Sequence, residues 1–295
     1  MLPDAPTITE EDMQRCRETG DFSPVLFEWY KFVGGLCVTF ANLLQNSEPV
    51  RKDIGNRDYG ILIGLINRCA RLILANVALS HEGRFGESTS ILDRCIFESC
   101  VILSWLCNSK IEDKFERYIA SGLKTELELK SEVQKSVEAR NGVVLNIEKR
   151  MLNSVEGCLS EAGFDEEKIQ NTKGLPDLAA MLDSLGHQRF SYTTGQRIGS
   201  HHVHGTWVGL RNHYIEIDVS GIYRTRQESE THINQYVYIT YIVLESLSNF
   251  VNYVFVSHED EKKVIFQLFE DTAEEITKLN NEIIGTDFDE SKHES

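Results

Sequence analysis

Proline is scarce in this chain of 295 residues: only five occur, and four of them lie before residue 50. Because proline interrupts helices, the long proline-poor remainder favours long helices. The sequence also lacks a His-Glu-x-x-His motif, a Cys-x-x-Cys pair, a Gly-x-Ser-x-Gly motif and a glycine-rich phosphate-binding loop. These absences remove the common signatures of zinc enzymes, serine hydrolases and P-loop proteins.

Basic residues are also in deficit, with 30 lysines and arginines against 46 acidic residues and a formal net charge of −16. A net negative charge repels polyanions at long range. The negative net charge argues against sequence-independent binding to duplex DNA over a large surface, because such binding needs many cationic contacts to phosphates. A small, local basic pocket remains compatible with this balance.

The first residues lack the basic start and apolar core of a signal peptide. Seven cysteines occur, an odd number, and most lie in apolar helical segments. We therefore predict a cytoplasmic protein with reduced thiols. Two apolar segments, 32–47 and 233–257, are short or interrupted by polar residues such as Glu245, so we predict buried helices there and no membrane partner.

Apolar residues recur at helical spacing in several long segments. The segments 59–83 and 87–108 each have an apolar stripe and are joined by a short turn, which predicts an antiparallel helix pair. Further helices are predicted over 21–46, 228–256 and 259–284. Hydrophobic residues make up 41% of the chain, which is enough for a substantial core.

These patterns predict an all-α fold, a helical bundle with one long helical hairpin and a small β-hairpin excursion. We expect an N-terminal segment (1–20), a single helical domain (21–284) and an acidic tail (285–295). The charged segments within 111–162 are predicted to form a protruding helical hairpin. Alternating residues and a glycine turn near 214–224 indicate the β-hairpin.

The stretch from Arg197 to His204 is the candidate active site. An arginine and a histidine at this spacing can share one pocket if the segment is helical. A guanidinium can hold a phosphate and an imidazole can move a proton near neutral pH, a pair suited to phosphodiester chemistry without metal or other cofactor. The candidate catalytic residues are Arg197, His204, His202 and Ser200; alternatively, they are polar residues that tie this segment to its neighbours.

The same stretch offers a metal site as an alternative. His201 and His204 would share a helical face, and His213, Glu216 or Asp218 could complete the ligand shell.

Arg94 and Glu98 lie four apart on an otherwise apolar helix. This spacing predicts a buried ion pair. The pair is either purely structural or positions the Arg197 and His204 side chains without contacting the substrate itself.

Two blocks of the sequence resemble DUF5677-like proteins, a bacterial helical family of unknown function. The first block runs from Gly83 to Ser88 and continues through Leu92-Asp93-Arg94-Cys95-Ile96-Phe97-Glu98. The second contains Tyr192, Arg197, Ser200, Val203, His204 and Gly205. The resemblance covers about 59–256 and implies a helical fold.

The Arg197-x6-His204 spacing also resembles the Arg-x(4–6)-His signature of HEPN-type ribonucleases. That resemblance implies a helical bundle, dimerisation and metal-independent RNA cleavage in toxin or phage-defence settings. It assigns phosphate binding to Arg197 and proton transfer to His204 or His202. The chain departs from the signature at Ile198, where a polar residue is usual, and at His204, where adenylylated relatives have tyrosine.

We therefore predict a HEPN-like, metal-independent ribonuclease or phage-defence effector that acts on RNA as a homo-oligomer. The alternatives are a non-catalytic helical interaction or sensor module that regulates a partner effector, and a metal-dependent hydrolase.

Overall fold

The structure is a computed structural model that describes residues 2–47, 50–80, 85–226, 233–256 and 258–284. The described residues are mostly helical and contain one two-stranded antiparallel sheet. The predicted all-α bundle with a small β-hairpin is therefore confirmed. The predicted turn at 83–86, the start of the predicted helix at 228 and the acidic tail at 285–295 lie wholly or partly outside the described residues.

The elements follow one another as α1 (Glu10–Thr19), α2 (Ser23–Ala41), α3 (Asn56–Leu79), α4 (Gly86–Asn108), α5 (Lys114–Ala139), α6 (Asn146–Ala162), α7 (Glu166–Asn171), α8 (Leu178–Ser184), α9 (Arg189–Tyr192), a π-helical segment (Thr193–Ile198), α10 (Gly199–Val203), α11 (Trp207–His213), β1 (Ile215–Ile217), β2 (Tyr223–Thr225), α12 (Ile233–Val254) and α13 (Glu259–Ile284). They form two compact units, one from 1–108 with 178–295 and one from 109–177.

The core of the first unit lies between α2, α3, α4 and α12, with α4 packed against both α3 and α12. The predicted apolar stripe of α3 supplies part of this core: Leu62, Leu65, Ile66, Cys69 and Ile73 are all buried. By length and composition α3 could also cross a membrane, which is weak evidence because core helices of soluble proteins pass the same test.

Glu245 is the one acidic residue of the apolar helix α12, and it accepts a hydrogen bond from His187 at 2.9 Å between Oε1 and Nε2. This contact fixes the segment before α9 against α12. The start of the candidate active-site stretch is therefore held in a fixed position against α12.

The second unit consists of α5, α6 and α7 around a small core of Ala120, Leu123, Phe164 and Ile169. α5 and α6 pack against each other, as predicted for a helical hairpin over 111–162. α7 follows the predicted hairpin in a polar stretch for which the apolar pattern predicts no helix. Its N-cap, the Asp165 carboxylate, accepts a hydrogen bond from the Lys168 amide and so starts a helix in a charged sequence.

Two further helices were not predicted. α1 lies inside the N-terminal segment, where Thr9 and Asp12 form a reciprocal capping box. α11 directly precedes the predicted β-hairpin, in which β1 and β2 pair with Ile217 opposite Tyr223. The turn between the strands is held by the Asp218 carboxylate, which accepts hydrogen bonds from the Ser220 and Ile222 amides.

Candidate active site

Two glycines fix the candidate stretch against α4. A Cβ atom on Gly195 would lie 2.6 Å from the ring of Phe97, and one on Gly199 would lie 2.9 Å from the Cβ of Arg94. Only glycine allows the backbone to approach so closely. Gly195 lies within the π-helical segment and Gly199 directly follows it. Such π-helical segments are often found at functional sites.

Gly195→Ala is expected to destabilise the fold by about 1–3 kcal/mol, because the added methyl group must displace the fully buried Phe97 ring. Gly64→Ala is the matched control, since a Cβ at that helical position of α3 meets nothing within 4 Å. The control should gain about 0.5–1 kcal/mol, the ordinary effect of replacing a helical glycine. Urea unfolding measures the change in the free energy of unfolding for both variants. If the two changes are equal in sign and size, the tight contact between Gly195 and Phe97 is contradicted.

Beside this contact lies a cleft of about 410 Å³ between α4, the π-helical segment, α10, α11 and α12. Clefts of this size with converging polar groups are typical ligand sites. The lining combines apolar walls with polar side chains: Ser90, Asp93, Arg94, Thr194, Gly195, Gly199, His201, His202, Val208, Gly209, Asn212, His213, Gln235, Tyr238 and Ile239.

Two histidines meet in the cleft. The rings of His202 and His213 are in edge-to-face contact, with centroids 4.5 Å apart and planes at 69°. His213 is buried at the end of α11, and His202 is partly buried on α10. Arg94 of α4 lines the same cleft. An imidazole pair and a guanidinium therefore share one concave site, which sequence reasoning had not identified because His213 was considered only as a metal ligand.

The other predicted catalytic residues do not line the cleft. Arg197 is exposed, and its guanidinium lies 5.9 Å from the centre of the Tyr192 ring. His204 is exposed at the end of α10. The Ser200 hydroxyl donates a hydrogen bond to the Gln196 carbonyl oxygen at 2.8 Å. Of the four predicted catalytic residues, only His202 lies in the cleft.

The predicted Arg94–Glu98 ion pair is present, with Nε and Oε1 3.1 Å apart. It is partly exposed rather than buried, because the side chains keep 18% and 30% of their accessible surface. The pair is not buried because Arg94 lines the open cleft. Arg197 and His204 do not line this cleft, so Arg94 and Glu98 are not part of a pocket formed by those two residues.

A buried polar network underlies the cleft. The Asn76 side-chain amide donates hydrogen bonds to the Asp93 carboxylate at 2.6 Å and to the Tyr30 hydroxyl at 2.8 Å. Burial raises the pKa of Asp93 to about 8, although its hydrogen bonds with Asn76 and Tyr30 oppose the shift. Asp93 therefore holds a proton under neutral conditions at the edge of the site.

The residues of the metal alternative are not assembled as a ligand shell. Within the described ranges, no group of three or more His, Cys, Asp or Glu side chains is arranged to hold a metal ion. His201 Nδ1 instead forms a hydrogen bond with the Thr206 hydroxyl at 2.7 Å. Asp218 is engaged in the turn between the strands.

The sequence around the cleft has the opposite charge balance to the whole chain. Between 187 and 226 there are five arginines and only two acidic residues, whereas the chain carries a net charge of −16. All five arginines are exposed: Arg189, Arg197, Arg211, Arg224 and Arg226. The segment that supplies much of the cleft lining therefore carries a net positive charge, which favours an anionic ligand.

Comparison with known proteins identifies the family of this chain. The model of a family described as a family of unknown function (DUF5677) matches residues 59–222, more than half of the chain. The match contains α3, α4 and the stretch with Arg94, His202 and His213, and it ends before α12. No curated protein and no solved structure matches.

Proposed function

The chain belongs to DUF5677, a family of unknown function, and we propose from its cleft that it is a metal-independent ribonuclease. The observation that supports this most is that His202, His213 and Arg94 line one cleft, to which a segment of net positive charge contributes. This assignment keeps the predicted chemistry and His202, adds His213, and replaces Arg197 by Arg94 as the residue that binds the phosphate.

In the proposed reaction the 2′-hydroxyl of a ribonucleotide attacks the adjacent phosphorus atom. One imidazole of the His202–His213 pair accepts the 2′-hydroxyl proton, and an imidazolium returns a proton to the 5′-oxygen as the phosphorus–oxygen bond breaks. The products are a 2′,3′-cyclic phosphate and a 5′-hydroxyl. Proton transfer near neutral pH is the chemistry for which imidazole is best suited.

Arg94 is proposed to bind the phosphate. Its guanidinium can donate two parallel hydrogen bonds to phosphate oxygens and stabilise the charge that develops on them. Glu98 contacts Nε of Arg94, which leaves the terminal nitrogens for the substrate. Arg197, exposed near Tyr192, is assigned to the segment of net positive charge rather than to the reacting phosphate.

The purified protein is expected to cleave single-stranded RNA in the presence of EDTA and to leave cyclic phosphate ends, because no step uses a metal ion. Gel analysis with and without acid opening of the cyclic phosphate measures this. A substrate with a 2′-O-methyl group at the cleaved nucleotide is the control and should resist cleavage, since the nucleophile is blocked. Cleavage only with a divalent metal, or no cleavage, would overturn the proposal.

A second candidate is a helical interaction module that regulates a partner protein. It is favoured by exposed apolar residues at the turn between α5 and α6, including Val143, Leu145 and Ile147. Biological activity that survives loss of His202 but not Ile147→Ser would support this alternative.

A further inference from the structure

A second cavity lies next to the cleft and shares Asn212 and His213 with it. Its volume is about 500 Å³, and the β-hairpin forms one wall through Ile217 and Tyr223. Arg211 and Arg226 also line it. A group bound in this cavity would therefore be a direct neighbour of a group bound at the His202–His213 pair.

One exposed aromatic ring, Tyr223, lies in the wall of this cavity, and a second, Trp207 at the start of α11, is in contact with it. The two side chains keep 53% and 57% of their accessible surface. Their ring centroids are 6.0 Å apart and their planes are at 69°, an edge-to-face contact that does not cover both faces of either ring. Exposed aromatic rings beside cationic side chains are the usual means of binding single-stranded nucleic acid, because bases stack on the rings and phosphates meet the cations.

The two arginines differ in how firmly they are held. Arg226 is fixed, since its Nη1 donates a hydrogen bond to the Asn212 carbonyl oxygen at 2.9 Å and its backbone amide bonds to Tyr214. Arg211 is exposed on α11. The lining includes one carboxylate, Glu216, against these two guanidinium groups. The cavity therefore combines a stacking surface with a net positive charge.

We propose that this second cavity is a stacking subsite for an unpaired nucleobase, with Tyr223 as the principal platform and Arg211 as the contact to its phosphate. The inference rests on the proposed ribonuclease function and gives a structural basis for its preference for single-stranded RNA. A base in a duplex has both faces covered by its neighbours in the stack. Only an unpaired base can place a face on Tyr223, so the subsite selects single-stranded RNA.

Binding of a short, fluorescently labelled 2′-O-methyl oligoribonucleotide tests the subsite, because this ligand cannot be cleaved by attack of the 2′-hydroxyl. Tyr223→Leu should weaken binding by about 5- to 100-fold, the range measured for loss of one stacked base. Tyr223→Phe should bind within about twofold of the wild type, since it keeps the ring. Phe190→Leu is the matched control: Phe190 is 72% exposed but does not line the cavity.

A ligand series with one abasic position moved along the oligonucleotide gives an independent measurement. One abasic position should weaken binding to the wild type and have no added effect on Tyr223→Leu, because both changes remove the same stack. Trp207 offers a second readout: Trp29 and Trp105 are buried, so acrylamide should quench mainly Trp207, and bound oligonucleotide should protect it. Circular dichroism checks that each variant is folded.

The inference is overturned if the wild type does not bind the oligonucleotide, if Tyr223→Leu binds as the wild type does, or if a duplex of the same sequence competes equally. These outcomes do not depend on cleavage. Binding that needs Tyr223, together with no cleavage of RNA, would keep the subsite and refute the ribonuclease. Cleavage of RNA, together with unchanged binding by Tyr223→Leu, would keep the ribonuclease and refute the subsite.

Discussion

His202→Ala is expected to lower the rate of RNA cleavage by about 10²–10⁴-fold, the range typical for loss of a general acid or base. The reason is that His202 lies in the cleft in ring contact with His213. His204→Ala should keep most of the activity, because His204 is exposed and does not line the cleft. Initial rates of cleavage of a fluorogenic RNA, measured in EDTA, separate the two variants.

Further variants test whether the two histidines act together. His213→Ala should be about as inactive as His202→Ala, and the double variant little worse than either, because both serve one transition state. Arg94→Ala should also be inactive, while Arg94→Lys should recover only part of the rate, since lysine keeps the charge but not the bidentate geometry. If His204→Ala is the inactive variant and His202→Ala is active, the catalytic histidine is the one that the longer spacing predicts.

Asp93→Asn is expected to change how stability depends on pH. The pKa of Asp93 is raised from 3.8 to about 8 in the folded protein, mainly by burial. The folded protein therefore keeps a proton that the unfolded chain has released, and the free energy of unfolding falls by about 1.4 kcal/mol per pH unit across this window. The contribution of the protonated Asp93 carboxyl to the free energy of unfolding is complete below about pH 4 and is lost by about pH 8.

Urea unfolding at pH 5 to 8 measures this dependence. Across that window the wild type should lose about 2–4 kcal/mol relative to Asp93→Asn, because the amide can still accept the hydrogen bond from Asn76 but does not ionise. Asp12→Asn is a control in which the pKa shift has the opposite sign. Hydrogen bonds from Thr9 lower the pKa of Asp12, so the stability that ionised Asp12 contributes is lost only as the pH falls below about 4. Parallel curves for the wild type and Asp93→Asn would contradict the buried, protonated carboxyl.

The helices of the core were predictable because their apolar residues repeat at helical spacing. Ile73 and Leu62 on α3 lie on the predicted stripe and are fully buried. α1 and α7 were missed because their sequences are polar and each helix is held by a capping side chain and local contacts rather than by an apolar stripe. Periodicity carries no information about such helices.

The site was predictable only in part. Each residue of an α-helix turns by about 100°, so Arg197 and His204, seven apart, share a face, whereas His202 lies on a different one. Both residues are exposed in the structure, and the spacing could not indicate which face of the segment would pack against the protein. That choice depends on contacts of Gly195 and Gly199 with α4, a helix about 100 residues earlier in the sequence. The partnership of His202 with His213 likewise depends on α11, which the sequence pattern did not predict.

The π-helical segment makes the position of the histidines in the cleft sensitive to the length of the chain just before them. A π-helical turn holds more residues than an α-helical turn. A deletion of one residue between Thr193 and Ile198 that converted this segment to an α-helix would rotate the following turn by about 100°. The run His201, His202 and His204 would then present a different imidazole to the cleft. The proposed role of His202 therefore depends on the number of residues in this segment as well as on their identity.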